Sequence, residues 1–344
     1  MKKVVTFGEI MLRLNPPGFL RFDQATSFDA SFGGGEANVA VSLARFGVAV
    51  DYVTRLPDNE LGDACIAVLR GHGVGTSKIL RGGSRIGIYF LENGAAQRAG
   101  KVIYDREGSS IAAVEKGMID WERVFEDADW FHWTGITPAV SRGLCEACLE
   151  GIVKAKAMGL TVSCDLNYRS KLWKWGRKAG DVMPDMVRYC DVAVGNEEDA
   201  EKVFGIRAPG ADVAGGKVDP EAYRPVAEAL KSRFPGLKQI AITLRGSISA
   251  SRNTWSGLLY DGRTLYRGPL FDIDHIVDRI GSGDAFAAGL IYGLRTYGEA
   301  HQRTLDFAVA ASCLKHSVFG DFNRVGVEEV AAVASGAASG RVSR

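Results

Sequence analysis

The sequence predicts an α/β protein built in three layers, a mostly parallel sheet with helices on both faces, with a small sheet standing off it. Three observations predict this. Strand-length hydrophobic runs alternate with helix-length amphipathic stretches through most of the 344 residues, and a repeated β-α order implies parallel strands joined by crossover helices. Two stretches, 86–106 and 249–267, break that order and read as antiparallel pairs around turns containing Gly94, Gly257 and Asp261-Gly262. Residues 10–36 fit neither pattern: Leu12, Leu14, Phe19, Phe22, Phe28 and Phe32 are interspersed with Pro16, Pro17 and Gly18.

In chain order, Lys3–Ile10 is a β-branched, apolar run and reads as a strand. Asn38–Phe46 has helical periodicity and is followed by a strand, 49–53, and a helix, 61–71. Residues 86–92 and 101–106 form a hairpin, and with 10–36 they supply the small sheet, a flap able to cover a site or pair with a second subunit. Then come strand 130–133, helix 142–157, strand 160–166, strand 191–194, a helix starting near Glu197, helix 220–233 and strand 239–243. A long helix rich in Ala and Gly runs from Asp284 to Arg295. Residues 1–334 are expected to be one domain whose flap is formed by about 10–36 and 86–108, with 335–344 a fraying Gly/Ser/Ala-rich tail.

Composition narrows the function. With 42 Lys+Arg against 41 Asp+Glu the net charge is +1, which provides neither the basic face of a nucleic-acid binder nor a polybasic membrane anchor. No apolar run is long enough to span a bilayer, and the N-terminal apolar stretch is too short for a signal-peptide core. The six cysteines read as reduced thiols of a cytoplasmic protein. Cys145 and Cys148 form a C-x-x-C, but with no second pair or nearby histidine they read as small apolar residues on one helix face. The five histidines show no ligand spacing, and the six tryptophans are dispersed, without a base-stacking platform. Glycine is the outlier, 42 of 344 residues, against a usual share of about 7%.

The glycines cluster. The dinucleotide fingerprint G-x-G-x-x-G and the phosphate loop G-x-x-x-x-G-K-[ST] are both absent, which argues against nicotinamide-dependent oxidoreductases and P-loop enzymes. What is present is Asp278-Arg279-Ile280-Gly281-Ser282-Gly283-Asp284, opening the long helix. A Gly-x-Gly at a helix N-terminus exposes successive amides at the positive end of the dipole, an arrangement suited to phosphate. Asp284 in the first turn can be a mere cap or a working carboxylate.

This segment resembles the C-terminal signature of the ribokinase/PfkB family of sugar kinases. Three further stretches resemble that family's elements in the family order: Gly33-Gly34-Gly35-Glu36-Ala37-Asn38-Val39-Ala40, its sugar-binding glycines; Gly195-Asn196-Glu197-Glu198-Asp199-Ala200, its N-x-x-E element; and Ile242-Thr243-Leu244-Arg245-Gly246-Ser247, its nucleotide loop after a late strand. Within the family, Gly8–Leu14, Tyr104–Ser110, Asp165–Trp173 and Lys315–Asp321 resemble the branch that phosphorylates 2-keto-3-deoxygluconate. Three positions depart from the wider family: Arg279, Asp199 and Glu36 stand where small, Glu and small residues are usual.

The resemblance implies a ribokinase-like α/β/α fold, ATP and Mg²⁺ as cofactors, a monovalent cation as a further one, and a place in Entner–Doudoroff and uronate breakdown. It implies that Asp284 is the base that takes the C6 hydroxyl proton, and that Gly281, Ser282 and Gly283 form the anion hole and hold ATP phosphate. Asn196, Thr243, Arg245 and Gly246 would meet the nucleotide, Arg245 being equally readable as a solvated loop residue. Asp199 and Asp278 would approach a metal ion, or else cap a helix and a loop. Gly34, Asn38, Tyr89, Tyr104, Arg106, Arg169 and Asp321 would meet the acceptor. Arg106 and Arg169 favour a sugar acid, because a neutral hexose would leave desolvated guanidinium groups unpaired. The rivals are a fructokinase or other hexose kinase of the family, and a non-catalytic sugar-acid sensor on the same fold. Exposed flap edges favour a flap-mediated dimer or a higher homo-oligomer.

Overall fold

A computed structural model describes residues 2–196, 198–208 and 220–337. The chain opens with β1 (Lys3–Phe7), then β2 (Met11–Asn15) and β3 (Asp29–Gly33), so that the ambiguous 10–36 stretch is two strands linked by a proline-bearing turn region. Helix α1 (Gly35–Arg45) starts three residues earlier than its apolar periodicity suggests, because Gly35 and Glu36 already lie in its first turn. β4 (Val50–Val53), the short β5 (Arg55–Leu56), α2 (Glu60–Gly71) and the short β6 (Leu80–Arg81) follow. β7 (Gly87–Glu92) and β8 (Lys101–Asp105) are the expected hairpin.

The β-α alternation then resumes with α3 (Trp121–Phe125), β9 (Ala128–Thr134), α4 (Thr137–Val140), α5 (Arg142–Ala157), β10 (Thr161–Asp165), α6 (Ala179–Val187), β11 (Val192–Asn196) and α7 (Asp199–Phe204). After α8 (Arg224–Arg233), β12 (Gln239–Ser247) continues four residues past its expected end at 243, because β13 (Asn253–Tyr260) pairs with it along its whole length. β14 (Leu265–Arg267), β15 (Phe271–Ile273), α9 (Ser282–Tyr297), α10 (His301–Lys315) and α11 (Val327–Ala334) complete the order. Of the expected tail, 338–344 lie outside the described residues.

The main sheet runs β14-β13-β12-β11-β10-β9-β1-β4, parallel from β12 to β4, with β13 to β15 antiparallel at one edge. Alternate residues of the central strands enter opposite cores. Phe131, Trp133, Val162, Cys164, Ile240 and Ile242 pack with α3, α5, α6, α7 and α8 on one face. Trp130, Val192, Val194 and Ala241 pack with α1, α2, α9, α10 and α11 on the other. Buried on both faces, such strands read as continuous apolar runs. Cys145 and Cys148 are buried in the first core as unpaired thiols, as their helix-face spacing suggested.

Strand order reverses between β1 and β9, and open α/β sheets bind ligands at such a switch point, beyond the carboxyl ends of the strands. The small sheet, β3-β2-β7-β8, lies over that end. Its register sets Arg13 beside Tyr89 and Tyr89 beside Tyr104, a row across three strands. Side chains of one row share a face.

Candidate active site

A cleft of about 370 Å³ lies between the two sheets. The ends of β10, β11 and β12 contribute Asp165, Asn196 and Thr243, α1 and the residue before it contribute Gly34 and Asn38, and the small sheet contributes Tyr89 and Tyr104. The start of α9 contributes Gly281, Ser282, Gly283 and Asp284.

Gly281 adopts a left-handed backbone (φ 83°), and a Cβ there would collide with the Asp321 carbonyl oxygen. Only glycine permits both the turn and the approach. Gly281 and Gly283 line the cleft with no side chain in the way, at the start of a 16-residue helix whose first amides have no partner within the helix; that of Ser282 donates to the Arg279 carbonyl (3.4 Å). Asn38 donates from Nδ2 to Asp284 Oδ2 (2.7 Å) while its Oδ1 accepts the Gly34 amide (3.2 Å). One side chain thus fixes the carboxylate and the glycine loop together. Burial pushes the Asp284 carboxyl up to about 6; the Asn38 bond opposes this, the Asp321 charge adds to it, and the charges of Arg169 and Lys315 oppose it.

Opposite, Arg13 is buried between Asp278 (2.6 Å) and Asp321 (2.9 Å), and Tyr89 donates its hydroxyl to Asp321 Oδ1 (2.5 Å). Asp278 also accepts the Ile280 and Gly320 amides, one on each oxygen (3.0 and 3.1 Å). Asp278 thus has the partners of a loop-capping carboxylate: Arg13 neutralises it and two amides occupy it. Asp199 does line the cleft, with one amide on each carboxylate oxygen. Its oxygens accept the Tyr168 and Asn196 amides (3.0 and 2.8 Å), tying the β10 loop to the end of β11. Among the described residues no cluster of three His, Cys, Asp or Glu side chains could hold a metal ion.

Arg106 is also not where the sequence suggested. It is buried in an ion pair with Glu9, whose Oε1 accepts from Ser109 Oγ (2.7 Å), so its partner is a carboxylate of the wall. Arg169 does border the cleft. It is exposed, donates to the Tyr168 carbonyl of its own loop (2.9 Å) and forms no ion pair among the described residues. Gly246 is not in a nucleotide loop: it lies within β12, paired with Thr254, and outside the cleft. Asn196 and Thr243 are register neighbours at the cleft, and Asn196 Oδ1 caps α7 through the Glu198 and Asp199 amides (2.8 and 3.1 Å). Glu197 of that element lies outside the described residues.

Three cleft groups, Asp165, Arg279 and Trp255, and the buried Arg13 behind Asp321 escaped the sequence reading. Arg13 sits in an alternating strand, where an inward arginine is the signal. Asp165 is buried at the end of β10, its carboxyl raised well above the ordinary range by burial and then by the charges of Asp199 and Asp284. Its Oδ1 accepts the amide of Asn167 (3.1 Å), a non-glycine residue at φ 37° that turns the chain away from the strand. Arg279 lines the cleft while donating to the Ser249 and Ala250 carbonyls (3.2 and 2.7 Å), and burial with the neighbouring Arg245 charge lowers its pKa. Trp255, register partner of Arg245, closes that side.

A carboxylate set against open helix amides, with cations facing a shared cleft, is equipped to deprotonate a hydroxyl beside a phosphate. Comparison with known proteins agrees. The model of the pfkB family carbohydrate kinases matches residues 1–323.

The chain belongs to that family.

Among its relatives, 2-dehydro-3-deoxygalactonokinase of Haloferax volcanii is 34% identical over 98% of both chains. The 2-dehydro-3-deoxygluconokinase of Thermoproteus tenax is 30% identical over 93% of this chain and 90% of its own. The crystal structure of 2-dehydro-3-deoxygluconokinase from Thermotoga maritima is 47% identical, covers 97% of this chain and 100% of its own, and superposes with a TM-score of 0.92. The four glycine, asparagine and threonine signatures that resembled this family thus belong to one of its members, and the ribokinase-like layering follows.

Proposed function

We propose that this pfkB-family kinase transfers the γ-phosphoryl group of Mg·ATP to the C6 hydroxyl of 2-dehydro-3-deoxy-D-gluconate, giving the 6-phosphate and ADP. The observation that carries the reading is the Asn38–Asp284 pair beside the open amides of α9, in a cleft where Arg169 is an unpaired cation. Asp284 accepts the hydroxyl proton as the C6 oxygen bonds to phosphorus and the bond from phosphorus to the ADP oxygen breaks. The Gly281–Gly283 amides meet the charge on the phosphoryl oxygens. Thr243, Asn196 and Arg245 lie along the wall that suits the nucleotide, and Arg245 Nε is buried without a partner of its own.

Mg²⁺ supplies charge neutralisation on the phosphates when bound. The donor set would suit an ion held mainly by phosphate and water, with Asp165 and Asp199 as the cleft-lining carboxylates that would hold it, because Mg²⁺ in phosphate sites keeps few protein ligands.

Gly34, Asn38, Tyr89, Tyr104 and Asp321 surround the acceptor, and Arg169 meets its carboxylate, bidentately where geometry permits. The small sheet acts as a lid on a single kinase domain. Its hairpin tip is docked on the body through Ala250 N to Ala96 O (2.8 Å) and Ala96 N to Ser251 Oγ (3.0 Å), an arrangement that excludes water from the transfer. Exposed Phe28, just before the edge strand β3, and Ile103 on the edge strand β8 favour a second copy of the chain on this sheet, which light scattering on the eluting protein tests. No helix of the described residues is long and apolar enough to cross a membrane, and the six cysteines are unpaired, which supports a reducing, cytoplasmic setting.

The deciding experiment measures kcat/KM in an ADP-release assay for 2-keto-3-deoxygluconate, its galacto epimer, fructose and ribose. The reading expects both sugar acids to exceed both neutral sugars by at least about 100-fold. Preference for fructose or ribose overturns it. The galacto epimer is included because the Haloferax volcanii relative is named for it.

A further inference from the structure

Behind the anion hole lies a buried ammonium with no role in the scheme above. Lys315, the last residue of α10, is fully buried. Its Nζ donates to the Val318 carbonyl (2.9 Å) and the Asp278 carbonyl (3.4 Å), and it forms no ion pair among the described residues. A Cβ built on Gly281 would lie 3.4 Å from Lys315 Cε, so the lysine stem runs directly beneath the anion hole. An isolated buried ammonium is expensive, and the carbonyls at a helix end repay only part of that.

The charges around it supply the rest. Asp278, from the loop before α9, and Asp321, from the loop after α10, are both buried and share the single guanidinium of Arg13 on β2. Two carboxylates against one guanidinium leave one excess negative charge, and Lys315 cancels it. The other ionisable groups nearby are Asp284 on α9; Arg279 of the loop before it, whose guanidinium donates to the Ser249 and Ala250 carbonyls and stays the same in every variant below; Tyr89 on β7, which stays protonated as donor to Asp321; and the adjoining His316, which burial pushes down to about 4 and so keeps neutral.

We propose that Lys315 is a positioning residue that neutralises the Asp278–Asp321 carboxylate pair behind Gly281, so that phosphate and catalytic carboxylate meet a net positive hole. Without it, one uncompensated negative charge would sit below the amides, repelling phosphate and favouring the protonated form of Asp284. The inference rests on the kinase reading, but the ATP-binding arm of its test does not depend on the sugar.

Three variants define the test by charge: Lys315→Met leaves the cluster at −1, Asp278→Asn at +1, and the double variant at zero as in the native protein. ATP affinity by calorimetry and the acidic limb of kcat/KM are measured for all four proteins, with thermal melting to follow folding. Lys315→Met should weaken ATP binding about tenfold and move the acidic limb up by about one pH unit. Asp278→Asn should move the limb down, and the double variant should return toward the native value. A helix-capping role alone would lower the melting temperature and leave this order absent. Native-like limb and ATP affinity in Lys315→Met, or a double variant as displaced as Lys315→Met, overturns the proposal. If Lys315→Met fails to fold, Asp278→Asn and the double variant give the same comparison, and an equal limb in those two overturns it. A native protein inactive on every sugar acid sinks the kinase reading, while the ATP affinities still judge Lys315.

Discussion

Replacing Asp284 by Asn should abolish turnover and make the protein more stable, and both effects follow from one geometry. The carboxyl sits where burial raises it from 3.8 to about 6. Holding it ionised in the folded state at pH 7.5 therefore costs up to about 3 kcal/mol relative to the unfolded chain, at 1.36 kcal/mol per pH unit. The folded state binds the proton more tightly than the unfolded chain, so the penalty is absent below about pH 4, grows between 4 and 6, and is complete above. Asn is neutral and nearly isosteric, and its own carbonyl oxygen can accept from Asn38 Nδ2. Asp284→Asn should gain about 1–3 kcal/mol at pH 7.5 and nothing at pH 4. With an unfolding entropy of about 2.1 cal/mol/K per residue, that is a rise in Tm of roughly 1–4 °C. Loss of the base should lower kcat by about 10²–10⁴-fold with ATP affinity retained. Scanning calorimetry at the two pH values and an ADP-release assay measure both sides. Retained kcat, or a gain in Tm no larger at pH 7.5 than at pH 4, would refute the placement of a strained carboxylate base at this position.

In the native enzyme kcat/KM should fall as pH drops through about 6, because the base must be ionised; burial pushes His132 down to about 3 and His316 to about 4, so neither supplies that limb. Arg169→Ala should raise KM for the sugar acid at least about tenfold and leave ATP affinity within about twofold, since the guanidinium stands unpaired at the cleft; equal losses for both substrates would make it a folding residue. Arg106→Met should do the reverse. Leaving Glu9 buried without its cation should destabilise the fold by about 3–5 kcal/mol, with an unchanged KM in whatever folds, and a selective KM effect would restore Arg106 to the substrate site.

The three arginines Arg13, Arg106 and Arg169 show where reading the sequence runs out. Each is a lone cation in a motif-rich stretch, and nothing local separates them. Arg13 meets a partner 308 residues away and Arg106 one 97 residues away. The two readings of Asp199 and Asp278, ion approach or cap, stayed open in the sequence for a related reason. Their oxygens are taken by backbone amides of other loops, and those amides are invisible in a string of side chains. The 10–36 stretch was legible as part of the small sheet, but its strand bounds and register were not, because its pairing with β7 sets them.

The sequence by itself determined the layered α/β class, through the alternation of apolar runs with helical periodicity. It also determined the start of α9, where glycine, helix onset and aspartate are consecutive and their arrangement follows from local backbone geometry. Only the tertiary structure decided which charges are available to a ligand. A buried charge must find a partner, and whether Arg13, Arg106, Arg169 or Lys315 finds one in the protein or must wait for a substrate depends on which distant loops the sheet order brings together.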